Sequence, residues 1–163
     1  MAEFNNRPLP RHDALAPLSR DHYVGLVQAR HLIRGSKGDE IVRRGVVAEF
    51  IDAWRDDVAV HFRDEERLLL PHMDEADRER LIGEHRSLST LALQVYEERK
   101  KVAPDPALLL KLGEELERHI RWEERDLFGR LQATLGEEVL AELEHSTEVL
   151  EETRHRDVSR NKS

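Results

Sequence analysis

Two nine-residue segments of the chain nearly repeat each other, and both carry side chains that can bind a metal ion. They read HFRDEERLL, from His61 to Leu69, and HIRWEERDL, from His119 to Leu127. In each, a histidine is followed four residues later by a glutamate, and this spacing places both side chains on one face of a helix. Imidazole nitrogens and carboxylate oxygens are ligands for iron, manganese and zinc. The repeat therefore predicts two equivalent His–Glu metal-binding positions.

Two further histidines interrupt apolar stripes in the segments that precede the repeats. His22 stands between Leu18 and Leu26 in a stripe of helical spacing, and His85 follows Leu81 in the same way. The histidine and glutamate of each repeat also stand where a leucine would be expected. The ligand pattern thus occurs twice, which suggests pseudo-twofold symmetry. We predict that six polar side chains face one helical core: His22, His61, Glu65, His85, His119 and Glu123.

A polar core of this composition is costly without a cation. An unpaired buried charge costs several kcal/mol even after relaxation, and a neutral polar group still needs partners. A domain has only about 5–15 kcal/mol of stability in total. No lysine or arginine falls on the inward stripe to neutralise the two glutamates. A metal centre is therefore favoured over the alternative, which is a purely structural polar core.

The number and type of the candidate ligands predict two metal ions. Six nitrogen and oxygen ligands without sulfur suit iron, manganese or zinc, and they are too many for one tetrahedral zinc ion. Two ions that each bind two imidazoles and share two carboxylates would use all six. A hydroxide or oxide bridge would lower the remaining positive charge. We predict two iron ions in a non-haem, oxo- or hydroxo-bridged centre, with manganese or zinc as alternatives.

The elements that must position these residues are helices. Charged residues make up 37% of the chain and no segment alternates as a half-buried strand does, which favours an all-α fold. Helices are predicted at residues 18–34, 39–70, 74–101, 106–134 and 137–156. Short connections predict an antiparallel up-down bundle of the first four. The predicted organisation is an extended N-terminal segment at 1–16, a four-helix bundle at 17–134, and a C-terminal helix with a charged tail at 135–163.

The composition also narrows the classes of partner. Lys and Arg total 26 and Asp and Glu total 34, which gives a net charge of −8. Nucleic acids and anionic membranes favour clustered positive charge, so neither is an expected partner. The chain contains no cysteine, which excludes disulfides and thiolate ligands. No apolar run predicts a signal peptide or a membrane span, and we expect a cytoplasmic protein.

Four segments resemble, in order and register, those of the hemerythrin family in its bacterial HHE cation-binding branch. They are LSRDH, HFRDEERLLLP, ERLIGEHRSL and HIRWEERDLF, and the resemblance covers roughly residues 15–131. It implies an antiparallel four-helix bundle with a non-haem di-iron centre. In that centre the four histidines named above are terminal ligands, and Glu65 and Glu123 are bridges.

The chain departs from the oxygen-carrying hemerythrins at one position on the third helix. Those proteins have a third histidine on one iron, in a His-x-x-x-His arrangement, whereas the residues four positions from His85 are Leu81 and Ser89. The resemblance favours a protein that binds or senses dioxygen or responds to iron. The alternatives are an enzyme that reduces peroxide or nitric oxide, and an interaction module that metal holds together. The expected partners are a small diatomic ligand and either a second copy of the chain, through the fifth helix, or another protein.

The glutamates that follow the candidate bridges are predicted to play a different part. One residue turns a helix by about 100°, so Glu66 and Glu124 should point away from the metals. We expect them to support the site from outside or to pair with nearby arginines at positions 63, 67, 121 and 125. The remaining five histidines are not expected to bind metal: His12, His31, His72, His145 and His155.

Overall fold

A computed structural model describes the chain from residue 10 to residue 160, apart from the side chain of Val158. This part of the chain is all-helical. The elements are α1 (Ala16–Gly35), α2 (Glu40–Ala53), a π-helical turn (Trp54–Val58), α3 (Ala59–Leu69), a 3₁₀ turn (Leu70–His72), α4 (Glu75–Glu98), α5 (Pro106–Trp122), a second π-helical turn (Glu123–Leu127), α6 (Phe128–Thr134) and α7 (Glu137–Arg160). The fold is a hemerythrin-like four-helix bundle with an additional C-terminal helix, as predicted.

Aspartates begin three of the helices at the predicted breaks. The side chains of Asp39, Asp74 and Asp105 each accept a hydrogen bond from a backbone N–H in the first turn of α2, α4 and α5. This capping satisfies donors that have no partner within the helix. The backbone stays helical through both π turns, so α2 and α3 form one rod and α5 and α6 form another. These two rods and the helices α1 and α4 make up the bundle.

Two apolar layers lie along the bundle, one on each side of the polar positions. One layer is built mainly from α2, the later part of α4 and α5, and its largest buried side chains include Phe50, Leu88, Leu112 and Leu116. The other is built from the start of α1, the start of α4 and the α5–α6 rod, and it includes Leu15, Leu81, Leu127 and Phe128. Burial of this surface drives folding at about 25 cal/mol per Å². It also keeps water away from the polar layer between the two.

Helices α1 and α5 approach closely because glycine stands at two contact points. A Cβ atom at Gly25 would lie 2.6 Å from Cδ1 of Ile120, and one at Gly113 would lie 2.8 Å from the carbonyl oxygen of Ala29. Real side chains do not tolerate such distances. Both glycines therefore permit the close packing of α1 against α5.

Both ends of the described chain pack against the bundle. Leu140 and Leu143 of α7 form a small buried cluster with Ala14, so α7 lies along the bundle. The backbone N–H of His12 donates to Gln132 on α6. Residues 1–9 of the predicted extended segment lie outside the described residues. None of the helices between residues 10 and 160 combines the length and the apolar character that a membrane span requires.

Candidate metal centre

The six polar residues that the sequence placed on the inward stripes come together in the middle of the bundle. Each is at most 5% exposed, and both glutamates are fully buried. Candidate ligand atoms lie within 4.8 Å of one another in two groups. One group contains His22, His61, Glu65 and Glu123, and the other contains His85, His119 and Glu123. Glu123 belongs to both groups, as expected for a carboxylate that lies between two ions.

The Nε2 atom of each of the four imidazoles points toward the carboxylates of Glu65 and Glu123. Nε2 of His22 lies 2.7 Å from Oε2 of Glu123, and Nε2 of His119 lies 2.6 Å from Oε1 of the same carboxylate. Nε2 of His61 contacts Oε1 of Glu65. These atoms are close, but their alignment is not that of a hydrogen bond. Within residues 10–160, ten buried side-chain nitrogen and oxygen atoms lack a hydrogen-bond partner, and eight of them belong to this cluster: Nε2 of His22, His61, His85 and His119 and both carboxylate oxygens of Glu65 and Glu123. The other two are Oε1 of Gln28 and Nε of Arg43.

This donor set fits divalent cations. Buried polar atoms are almost always hydrogen-bonded, so eight orphaned atoms at one point need a common explanation. Four imidazole nitrogens and two carboxylates are the ligand types of iron, manganese and zinc sites. Ions bound between them would satisfy all eight atoms at once.

The carboxylates strongly perturb the pKa values of the histidines. Burial by itself lowers the pKa of His61 and His119, but the charges of Glu65 and Glu123 outweigh it and raise these pKa values to about 9 and about 10. The pKa of His22 is also raised well above its usual value, against the effect of burial. The pKa of Glu123 is lowered well below its usual value, although its burial acts in the opposite direction. The negative potential that holds protons here would also attract a cation, which would displace them.

Each of the four histidines is supported from outside by a second carboxylate at Nδ1. An Nδ1–H that donates to a carboxylate leaves the lone pair of Nε2 free to face the centre, and such support is typical of metal-binding histidines. The pairs are His22–Glu124 at 2.5 Å, His61–Asp21 at 3.3 Å, His85–Glu66 at 2.9 Å and His119–Glu84 at 3.1 Å.

Sequence reasoning identified only part of this outer layer. Glu66 and Glu124 do point away from the centre, and of the two predicted alternatives the first is observed: they support histidines from outside rather than pair with the arginines at positions 63, 67, 121 and 125. Glu124 also accepts from Arg11, which precedes the bundle. Asp21 and Glu84 were missed. Each of them immediately precedes a core histidine in the sequence, and this pattern could have identified them. One residue turns a helix by about 100°, so the side chain before a core histidine can reach the histidine of the neighbouring helix.

The remaining histidines take no part in the two groups of candidate ligands within residues 10–160. His31 lies at the surface, where its Nδ1 is 3.0 Å from a carboxylate oxygen of Glu49. This arrangement is consistent with its predicted position outside the centre.

The surface of the bundle is grooved beside His85. A groove of about 750 Å³ runs between α3 and α4, and Trp54, Phe62 and Ser89 are among its lining residues, together with His85 itself. The ring of Phe62 stacks on His85 with 3.9 Å between the ring centres. The hydroxyl of Ser89 donates to the carbonyl oxygen of His85 at 2.8 Å. The side chain of Ser89 is thus small and turned toward its own backbone.

Comparison with known proteins agrees with the fold and with the chemistry of this cluster. No curated protein and no solved structure gave a significant match to the chain. Residues 21–131 match the family model described as the hemerythrin HHE cation binding domain. The match includes all six clustered residues and ends before α7. Because it spans more than half of the sequence, the chain belongs to the hemerythrin family.

Proposed function

We propose that the protein binds two iron ions through the six clustered side chains. The observation that carries the proposal is the set of eight buried, unpartnered nitrogen and oxygen atoms that face one another in a chain of a cation-binding family. His22 and His61 would bind one ion and His85 and His119 the other. Glu65 and Glu123 would bridge the two. When bound, iron supplies redox chemistry and affinity for dioxygen.

The chain's own residues prepare the centre for this task. Four outer carboxylates hold a proton at Nδ1 of each histidine and fix the ring orientation. The two apolar layers exclude water on both sides, and this strengthens the attraction between the glutamates and a cation. Removal of one inner carboxylate would leave the facing imidazoles without their acidic partner. The centre is therefore preorganised rather than assembled from mobile groups.

We further propose that the centre binds or senses a small diatomic ligand such as dioxygen, or responds to iron, in the cytoplasm. The groove beside His85 gives such a ligand a path to the second half of the centre. Neither Leu81 nor Ser89 supplies the third histidine of the oxygen-carrying relatives, which leaves that half with one protein ligand fewer. Reduction of peroxide or nitric oxide is the alternative function, and the experiment below distinguishes the two.

The test is elemental analysis of protein purified without added metal, together with its visible absorption spectrum before and after reduction. We expect about two iron ions per chain and a spectrum that changes reversibly when dioxygen is added to the reduced protein. His85→Ala should lose iron and the spectral change, whereas His31→Ala should retain both. Sustained turnover of peroxide or nitric oxide with an electron donor would favour the enzymatic alternative. A folded chain that binds no metal would refute the proposal.

A further inference from the structure

The C-terminal helix α7 lies beyond the residues that match the family, yet one of its side chains reaches the surroundings of the candidate centre. Nη1 of Arg154 donates a hydrogen bond of 2.7 Å to Oδ2 of Asp21 on α1, and Nη2 contacts Oδ2 of Asp64 on α3. Asp21 directly precedes His22, and Asp64 directly precedes Glu65. The guanidinium therefore joins two helices immediately beside candidate ligands.

Arg154 and His61 share one carboxylate oxygen. Oδ2 of Asp21 lies 2.7 Å from the guanidinium and 3.3 Å from Nδ1 of His61. A planar guanidinium that contacts two carboxylates restricts the orientation of both. The side chains of Arg154 and Asp21 are 34% and 28% exposed, so this arrangement is partly shielded from water. Arg154 thus fixes the group that orients His61.

The corresponding carboxylate in the other half of the centre is fixed in a different way. Nε of Arg80 donates to Glu84 at 2.7 Å, and Glu84 supports His119. Arg80 stands one turn before Glu84 on the same helix, whereas Arg154 is 133 residues away from Asp21. The support of His119 is local to α4. The support of His61 includes a contact that exists only when α7 is docked.

We propose that Arg154 is a positioning residue that couples the docking of α7 to metal binding at His61. This inference rests on the proposed metal-binding function. With α7 docked, Arg154 holds Asp21 against Nδ1 of His61, so that Nε2 faces the centre. With α7 released, Asp21 is free to turn toward solvent and the imidazole loses its orienting partner. Coupling of this kind is reciprocal, so a cation bound at His61 stabilises the docked position of α7.

The direction of the effect separates positioning from simple electrostatics. Removal of a positive charge near a cation site by itself strengthens cation binding. Loss of positioning weakens it, because changes in the groups that orient metal ligands typically cost about 10–100-fold in affinity. Arg20 offers a matched control: it joins α1 to α7 through Glu151 at 2.7 Å, but its carboxylate partner lies on α7 rather than beside a histidine.

The experiment measures ferrous iron binding to the full chain under anaerobic conditions, in competition with a colorimetric chelator. Arg154→Ala should weaken the binding of one ion by about tenfold, and Arg154→Lys should restore part of the loss. Arg20→Ala should bind as the wild type does, or slightly more tightly. If Arg154 acts through Asp21, the double variant with Asp21→Asn should lose no more affinity than Asp21→Asn alone.

Limited proteolysis supplies a readout that does not depend on iron affinity. Ferrous iron should protect α7 from cleavage in the wild type and in Arg20→Ala, but not in Arg154→Ala. The inference is overturned if Arg154→Ala binds iron as tightly as Arg20→Ala, or if the losses add in the double variant. If Arg154→Ala does not fold, Asp21→Asn decides, since undiminished protection of α7 there overturns the coupling. A wild type that binds no iron would instead refute the proposed function itself.

Discussion

The two halves of the candidate centre carry the same kinds of side chain but differ in their cover. Beside His61, α7 lies over the outer carboxylate, and the opening next to Asp21 and Arg154 has a volume of about 90 Å³. Beside His85 the groove has a volume of about 750 Å³. Within residues 10–160, no lysine or arginine lies at ion-pair distance from Glu66, the outer partner of His85. The two halves thus have similar candidate ligands, but the surface openings beside them differ in size.

This difference suggests a division of roles between the halves. The covered half is anchored by contacts from segments that precede and follow the bundle, through Arg11 and Arg154. The open half relies on helices of the bundle itself and faces solvent through the groove. We therefore assign the binding of an external ligand to the His85 side, and coupling to the rest of the chain to the His61 side.

The largest expected effect concerns the one carboxylate that both halves share. Glu123→Gln keeps the size of the side chain but removes its charge, and we expect the iron content to fall from about two ions to less than one per chain. Glu65 is the second proposed bridge, but in this structure it groups with His22 and His61 and not with His85 and His119, so Glu65→Gln should lose less iron and retain an ion at His85 and His119. Elemental analysis after anaerobic loading measures both. The exposed Glu114→Gln, on the same α5–α6 rod, is the control.

Equal losses in the two variants would contradict this comparison. They would indicate that Glu65 and Glu123 contribute equally to both ions, and that the closer grouping of Glu123 with all four histidines does not matter for binding.

The next largest effect is the pH dependence of stability without metal. The pKa values of His61 and His119 are raised from 6.5 to about 9 and about 10, so the folded chain binds more protons than the unfolded chain between these limits. The contribution of these two histidines to the free energy of unfolding should therefore be complete below about pH 6.5 and should be lost as the pH rises to about 10. Each pKa unit corresponds to about 1.4 kcal/mol. Urea unfolding in the presence of a chelator measures this slope.

Saturating metal should reverse the slope, because metal binding requires neutral imidazoles and becomes tighter as protons leave. In His119→Gln without metal, the free energy of unfolding should stop falling near pH 9, which is the pKa of His61. His31→Ala should keep the pH dependence of the wild type. A metal-free stability that is flat or rises from pH 7 to 9 would show that the carboxylates do not hold these protons.

The sequence was sufficient to predict the inner layer because helical phase alone decides it. A residue that replaces leucine in a stripe must face the core, and all six polar residues selected in this way are buried. Helix boundaries followed from proline and glycine signals, which act locally. Burial alone does not show that these six side chains bind metal, and the iron content of the purified protein tests that prediction.

Features that depend on contacts between distant elements could not be predicted in the same way. The π turn at Trp54–Val58 lies inside the continuous helix predicted at residues 39–70, and the sequence pattern did not predict it. Packing of the whole rod decides such a turn. The sequence likewise left open whether the fifth helix lies along the bundle. The contact of Arg154 with Asp21 depends on that choice.

The smallest effect tests access to the open half. Ser89 follows His85 by four residues, as Leu26 follows His22, and the half-buried Leu26 packs against the apolar core. Ser89→Leu should fill the groove beside His85 in a similar way. We expect the rate of azide binding to the iron-loaded protein to fall by about tenfold, which corresponds to about 1.4 kcal/mol in the barrier. Stopped-flow absorption measures this rate. Gln94→Leu adds the same side chain at an exposed position of α4 away from the groove and should leave the rate unchanged. Equal rates in Ser89→Leu and the wild type would show that external ligands enter by another side of the bundle.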